Sequence, residues 1–360
     1  MGIYFVVIIL VALFCKLAIE YDYKTIQLDV LKHNKHKQMT FVFFFLASAV
    51  LIFVAGFRYY VGSDYGNYYS GYIEAASKFG DKLKSFDEPG YYFICWIVVL
   101  LKGNGTTTIF LSSAITILLC LKTIYKNTNC LLSATLLYVF LGCWHGSFNG
   151  VRQYLAAAII FSGLRYIKEK MFWKYALVVF IAFLFHASAI VMIFAYFVAY
   201  NKISLKNIII LIVGSLVVLF SFDEVLRFAG FILDQEYTNN STYITNSVNV
   251  LRILVACAPA IFFIFIYQDK VITNEQKFWI NMLILNGITM FATSNSTYLA
   301  RMGIYTAPFS AIGIPELLKG LSVKNRKIIK ISLLILYGLF WLYEINKSYA
   351  LNNFQFVFGK

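Results

Sequence analysis

The stretch that decides the fold is KMFWKYALVVFIAFLFHASAIVMIFAYFVAYNK, residues 170–202. From Tyr175 to Tyr200 it contains no Lys, Arg, Asp or Glu. As one helix this run would be about 39 Å long, whereas the hydrocarbon core of a bilayer is roughly 30 Å thick. Lysines flank both ends, and positive charge marks the cytoplasmic ends of membrane spans. The pattern therefore predicts a hairpin with His186 near its tip.

The rest of the chain has the same apolar character. Of its 360 residues, 60% are hydrophobic and 13% are charged, against about 25% charged in soluble domains. Apolar blocks of roughly 15–20 residues recur, and each is long enough to cross a bilayer as a helix. We expect an all-α polytopic transmembrane bundle of about 12 spans (10–14) in a single membrane domain covering residues 1–360. Such blocks exclude a soluble enzyme, a disordered chain and a transmembrane barrel, whose strands alternate.

The charge distribution predicts the topology. The net charge of +14 is compatible with nucleic-acid binding, but the basic residues cluster between the apolar blocks, so we interpret them as cytoplasmic loops. This assignment leaves two substantial outer loops, at about 58–88 and 222–249. The short apolar segment 89–102 must then be re-entrant or interfacial, because a full crossing would put Arg58 and Arg152 on opposite sides. We expect no nucleic-acid partner.

Several kinds of chemistry find no support in the sequence. The chain contains no H-E-x-x-H, G-x-S-x-G or Walker A pattern. Its six cysteines are scattered, without a C-x-x-C pair, and are typical of small hydrophobic residues rather than of a metal site or disulfide framework. We therefore expect no metal and no cofactor.

Four arginines stand at predicted outer ends of spans: Arg58, Arg152, Arg252 and Arg301. A single arginine at such a position is readily explained by snorkelling, in which the long side chain extends from the apolar core to the interface. Four at one membrane level favour an anionic ligand, since arginine binds phosphate oxygens in a fork and stays charged when partly desolvated. Arg152 also lies in the first turn of a predicted helix, where the helix dipole favours an anion.

Two further features have both a structural and a functional interpretation. Asn67 and Tyr68, close to Asp64 in the first outer loop, resemble a surface that binds sugars, but also an interfacial aromatic belt, which composition alone favours. His186 is an ionisable group predicted deep in the membrane, which is either functional or hydrogen-bonded to a backbone carbonyl.

Five motifs together resemble the EpsG family of bacterial exopolysaccharide and capsule membrane proteins, which is similar to Wzy-type polysaccharide polymerases. They are FRYYVGSDYGNYY (57–69), DEPGYYF (87–93), FNGVRQYLAAAIIFS (148–162), FLFHASAI (183–190) and YLARMGIY (298–305). The resemblance implies a fold similar to lipid-dependent (GT-C-like) glycosyltransferases. It also implies a polymerase that joins polyprenyl-diphosphate-linked oligosaccharide repeat units at the outer face of the bacterial cytoplasmic (inner) membrane. A flippase and a chain-length regulator are the expected protein partners.

Given the activity that the resemblance implies, the chemistry of single residues predicts their roles. We expect Arg152 and Arg301 to bind the diphosphate leaving group, with Arg58 as a supporting cation. Asp64, ahead of His186, is the expected general base for the acceptor hydroxyl. Gln153 and Glu88 fall in family motifs, and the remaining expected substrate contacts are Asn67, Tyr68 and Arg252.

Two alternatives stay open at this point. A ligase that transfers a finished glycan, or an acetyltransferase of the same pathway, would use similar residues, and a ligase is distinguished from a polymerase by its product. A flippase or transporter of the lipid-linked unit would be expected to show inverted repeats and charges at the bilayer midplane, and neither is evident in the sequence.

Overall fold

The computed structural model describes residues 1–25, 30–200, 213 and 247–358, and within these ranges the side chains outside 22–37. Most of these residues are helical, and their one β pairing is the isolated bridge between Arg58 and Phe356. They form two compact units, one of Met1–Ile190 with Ser322–Lys360 and the other of Val191–Leu321. The outer loop predicted at 222–249 lies almost wholly outside the described residues. The prediction of a single membrane domain stays a prediction.

Long apolar helices place the protein in the membrane class. Within the described residues, five helices are long and apolar enough to cross a bilayer: Gly2–Tyr21, Gln38–Gly56, Gly105–Asn127, Val250–Tyr267 and Val323–Lys347. The shorter apolar helices are Pro89–Leu100, Leu131–Phe140, Phe172–Phe183 and Ala187–Val198. A helix of 12 residues is about 18 Å long, too short to cross alone. The all-helical class is confirmed, whereas twelve spans and similarity to GT-C-like enzymes stay predictions.

The first unit is a bundle around buried aromatic side chains. Its helices are α1 (Gly2–Thr25), α2 (Val30–Gly56), α3 (Tyr65–Ser70), α4 (Tyr72–Ser85), α5 (Pro89–Leu100), α6 (Gly105–Asn127), α7 (Leu131–Phe140), the 3-10 helix His145–Phe148, α8 (Val151–Ser162), α9 (Leu164–Lys168) and α10 (Phe172–Phe183). Tyr4 packs edge-on against Trp144 and Trp341, and each indole N–H finds an acceptor, Leu51 O at 3.1 Å and His145 Nδ1 at 3.1 Å. Such pairing avoids the cost of burying an indole N–H unbonded.

Backbone hydrogen bonds bring three helix ends together at one end of this unit. The chain after the last long helix returns along the loop that follows α2: Tyr59 N donates to Gln355 O at 2.8 Å and Gly62 N to Ala350 O at 3.0 Å. The Tyr4 hydroxyl, near the start of α1, donates to Leu351 O at 2.8 Å. The start of α1, the end of α2 and the end of the helix Val323–Lys347 therefore share one end of the unit. That this end faces outward stays a prediction.

The second unit is a smaller helical packing. In chain order its elements are α11 (Ile193–Val198), α12 (Val250–Tyr267), α13 (Asn274–Ala292), the 3-10 helix Leu299–Met302 and α14 (Gly303–Leu318); α15 (Val323–Lys347) and α16 (Tyr349–Asn352) then return to the first unit. Thr273 caps α13 by accepting from Gln276 N, the capping-box arrangement that satisfies two otherwise unpaired donors. Tyr267 OH bonds Leu317 O at 2.7 Å and fixes α12 against α14.

The long apolar run from Tyr175 to Tyr200 is interrupted, as the sequence predicts. Helix α10 ends at Phe183, and His186 lies in the short non-helical segment before the 3-10 helix Ala187–Met192. Helix α5 begins at Pro89, also as predicted. The hairpin itself and the re-entrant depth of α5 concern the membrane and stay predictions.

Candidate active site

The site is built on the turn between α4 and α5. Pro89 occupies the first helical position of α5, where a missing N–H costs nothing, and Glu88 precedes it as the N-cap with a left-handed backbone, φ 49°. A residue with a Cβ adopts this conformation at a cost of roughly 1–2 kcal/mol. Buried Tyr91 and Cys95 of α5 pack against Leu155 of α8. This packing places Glu88 beside the start of α8.

The Glu88 carboxylate joins two charged or ionisable side chains from distant parts of the sequence. Its Oε2 accepts from Arg152 Nη1 at 2.8 Å, and its Oε1 lies 2.6 Å from His186 Nδ1. Oε1 also accepts from the backbone N–H of Ala187 at 2.8 Å. The Glu88 side chain is 12% exposed and the two partners are each 26% exposed. We call these three side chains the Glu88 cluster.

The surroundings of Glu88 determine its ionisation and so the direction of its hydrogen bonds. Burial raises the pKa of Glu88, but the bonds and charges of His186 and Arg152, with the Ala187 N–H, outweigh it and bring the pKa below the ordinary 4.5. Glu88 is therefore a carboxylate at neutral pH and can only accept hydrogen bonds. Because this carboxylate can only accept, His186 Nδ1 is the donor of their hydrogen bond, which leaves Nε2 as the ring nitrogen that is not bonded to Glu88.

Glycine holds the segment around His186 against the α4–α5 turn. Gly90 N donates to Leu184 O at 2.7 Å. A Cβ at Gly90 would lie 2.7 Å from the ring of Phe185, so no other residue fits there without displacement. The glycine of the DEPGYYF motif thereby permits the close approach that brings His186 to Glu88.

A second set of contacts positions Arg152 at the start of α8. Gly150, with φ 58°, donates its N–H to Asp64 Oδ2 at 3.0 Å. Asp64 Oδ1 accepts from Ser63 Oγ at 3.1 Å. Tyr68 on α3 hydrogen-bonds to Arg152, and burial raises the pKa of this tyrosine, so it is neutral at physiological pH. Asp64 and Tyr68 therefore connect the first outer-loop motif to the Arg-Gln helix start.

Arg58 is placed in the interior of the protein. Its side chain is 1% exposed and donates to the backbone carbonyls of Ala55, Val61 and Phe148 and to Ser113 Oγ. Its guanidinium also lies 4.8 Å from the ring centre of Phe148, a cation–π distance. Burial lowers the pKa of Arg58 to about 10, so the group stays charged at neutral pH. Contact between Arg58 and a substrate stays a prediction; its observed contacts join the end of α2 to α6.

The other predicted residues lie in different surroundings. Gln153 is buried beside Arg152, and Asn67 is exposed on α3. Arg252, in the first turn of α12, and Arg301, in the 3-10 helix Leu299–Met302, both belong to the second unit. The first unit thus brings Glu88, Arg152, His186, Tyr68 and Asp64 into one network; the roles of Arg252 and Arg301 stay predictions.

Sequence reasoning missed two features of this network. It placed Glu88 among substrate contacts, although the structure makes it the residue that joins the cluster, and it gave no part to the Ala187 and Gly150 N–H groups. A carboxylate immediately before Pro-Gly was the available signal for a constrained position. Pairing it with a histidine 98 residues away is information that only the fold holds. Over the described ranges, no group of three or more His, Cys, Asp or Glu residues is arranged to hold a metal ion.

Comparison with known proteins gives one result. The sequence model of the EpsG family matches residues 41–357. No match was found among curated proteins or among solved structures. The matched range contains all five motifs and every member of the Glu88 cluster.

Proposed function

Because this chain belongs to the EpsG family, we propose that it is a polysaccharide polymerase acting on lipid-linked repeat units. Membership of this family fits a role in polysaccharide biosynthesis at a membrane. The observation that carries the finer proposal is the Glu88 carboxylate, which holds Arg152 on one oxygen and His186 on the other. This arrangement supplies an anion-binding cation and an oriented base side by side.

His186 is the proposed general base. The hydroxyl oxygen of the acceptor sugar attacks the anomeric carbon of the donor unit, and a new carbon–oxygen bond forms. The bond between that carbon and the phosphate oxygen breaks, and the diphosphate leaves with the electron pair. The hydroxyl proton moves to Nε2 of His186, while Glu88 holds Nδ1–H and stabilises the imidazolium that results. Asp64, whose two oxygens accept hydrogen bonds from Ser63 Oγ and from the Gly150 N–H, stays the alternative candidate for the base.

Arg152 is the proposed ligand of the diphosphate. A guanidinium has five N–H donors in a planar fork, so it can hold Glu88 through Nη1 and phosphate oxygens through other donors. The start of α8 adds the partial positive charge of a helix N-terminus. Arg301 is proposed as a second diphosphate ligand on the family motif alone. The proposed place of reaction is the outer face of the cytoplasmic membrane, and the repeat unit is its substrate.

The experiment is complementation of a deletion strain, followed by extraction of its lipid-linked glycans. Arg152→Ala is expected to abolish the ladder of polymer lengths and to accumulate single repeat units on the lipid. The matched control is Arg165→Ala, since Arg165 is exposed on α9 and pairs with Glu169 four residues away. A normal ladder from Arg152→Ala contradicts the proposal. Polymer that forms but is not attached to its acceptor indicates a ligase instead.

A further inference from the structure

A cleft lies at the same end of the first unit as the loop after α2, and the mechanism above does not use it. Its volume is about 690 Å³, within the range of roughly 300–1,000 Å³ typical of sites for small molecules. The side chains that matter for its chemistry are Ile3, Tyr60, Tyr349, Asn352, Asn353 and Gln355. We call it the tyrosine cleft. We propose that it binds uncharged sugar residues of the glycan, away from the reacting end.

The lining of the tyrosine cleft matches sugars rather than phosphates. The described side chains that line it are uncharged, and the α-amino group of Met1 adds one cation to the lining, so the cleft lacks the arginine fork that favours a diphosphate. Tyr349 and Tyr60 are 85% and 59% exposed. A sugar ring has an apolar face of C–H groups, which packs on an aromatic ring, and a rim of hydroxyls. The amides of Asn353 and Gln355 provide both donors and acceptors for those hydroxyls.

The cleft is held in shape by the fold. Its two walls, the loop after α2 and the segment after α15, are joined by the hydrogen bonds from Tyr59 N to Gln355 O and from Gly62 N to Ala350 O. Tyr60 has a left-handed backbone, φ 50°, which is unusual for an aromatic residue and persists only where the surroundings enforce it. Its ring packs 5.1 Å from the ring of buried Tyr65. The exposed face of Tyr60 is therefore presented in a fixed orientation.

The cleft is close to the Glu88 cluster along the chain. Tyr60 lines the cleft, and Tyr68, eight residues later, hydrogen-bonds to Arg152. Eight residues reach at most about 29 Å, and α3 within this segment shortens that distance. A short oligosaccharide spans such a gap. The identity of the ligand as the pathway's own glycan rests on the proposed function, whereas the sugar-binding chemistry of the cleft does not.

The test is direct binding by the purified full-length protein in detergent. The probe is a set of oligosaccharides made by partial acid hydrolysis of the source organism's own extracellular polysaccharide. Tyr349→Ala is expected to weaken binding about tenfold, the effect of losing one well-stacked ring, and Asn353→Ala is expected to weaken it in the same direction. The matched control is Trp173→Ala, which removes an aromatic ring that is 82% exposed outside the cleft and should leave binding unchanged.

The outcomes separate this proposal from the proposed function. Absence of oligosaccharide binding by the wild-type protein overturns it, as does unchanged binding in both Tyr349→Ala and Asn353→Ala. Arg152→Ala is outside the cleft and is expected to bind the probe normally even though it makes no polymer. If Arg152→Ala instead polymerises normally while Tyr349→Ala loses binding, the polymerase mechanism fails and the sugar-binding cleft stands.

Discussion

Replacement of Glu88 by glutamine is the sharpest test of the Glu88 cluster. The substitution keeps the size of the side chain and removes its charge. Glu88 accepts three hydrogen bonds, from Arg152, His186 and the Ala187 N–H. Glutamine has one accepting oxygen and one donating NH2 group. Its NH2 group must therefore face a donor, either Arg152 or the pair His186 and Ala187.

The size of the effect follows from these contacts. A hydrogen bond to a charged group contributes about 1.5–3 kcal/mol and a neutral one about 0.5–1.5 kcal/mol, and an unsatisfied buried group costs about 1–3 kcal/mol. The substitution removes the charge of residue 88 and leaves its NH2 group opposite another donor. Together these two changes cost about 2–4 kcal/mol of interaction free energy. The carboxylate also interacts most strongly when His186 becomes cationic in the transition state. The rate should therefore fall about 30- to 1,000-fold.

The assay is polymerisation in right-side-out membrane vesicles or proteoliposomes supplied with lipid-linked repeat units, with the length ladder read on a gel against time. Asp81→Asn is the matched control, because Asp81 on α4 has a side chain that is 88% exposed and pairs only loosely with Lys84, at 4.0 Å. It should polymerise at the wild-type rate. A Glu88→Gln protein that is folded and polymerises as fast as wild type would refute the assignment of His186 as an oriented base.

Three further predictions follow from contacts in the first unit. Arg58→Met should lower the thermal unfolding temperature in detergent and the amount of protein in the membrane. The reason is that it leaves several carbonyl acceptors unpaired, at a cost of about 1–3 kcal/mol each. A stable but inactive variant would instead make Arg58 a substrate ligand. Gly62→Ala should also lower the free energy of unfolding, by roughly 1–3 kcal/mol, since φ at Gly62 is +104° and the new Cβ would lie 2.5 Å from Phe148 O. A variant as stable as wild type would contradict this. The pKa of Glu88 is below 4.5 in the folded protein, so its stabilising effect is complete above pH 4.5 and is lost as the pH falls through the folded pKa. The difference in unfolding temperature between wild type and Glu88→Gln should thus shrink as the pH falls below 4.5, and a difference that has already disappeared at about pH 5 would contradict the lowered pKa.

The local features of the site were readable from the sequence. Pro89 predicts the start of α5 because proline fits the first helical turn, and the break near His186 follows from a run too long for one helix between two basic flanks. The family motifs also marked Glu88, Arg152 and His186 individually. Each of these inferences depends only on neighbouring residues, on segment length or on local motif pattern.

The roles of Asp64 and Arg58 show where sequence reasoning stopped. Asp64 was expected to act as a base and Arg58 to support the binding of the diphosphate, and both roles stay predictions. The fold provides their hydrogen-bonding partners from far along the chain: Gly150 for Asp64, and Ser113 and Phe148 for Arg58. The buried charge of Arg58 is stable only when such partners are present, and their presence is set by helix packing.

The sequence by itself determined the class of protein, because a hydrophobic composition in blocks of helical length has few other solutions in a bilayer. It also marked the family, since the motifs keep their order along the chain. Only the tertiary structure decided that one carboxylate holds both Arg152 and His186. That contact arises because Gly90 lets the segment before His186 approach α5, and because α5 packs on α8. Long-range contacts of this kind depend on how all the packed surfaces fit together, and no short stretch of sequence contains that information.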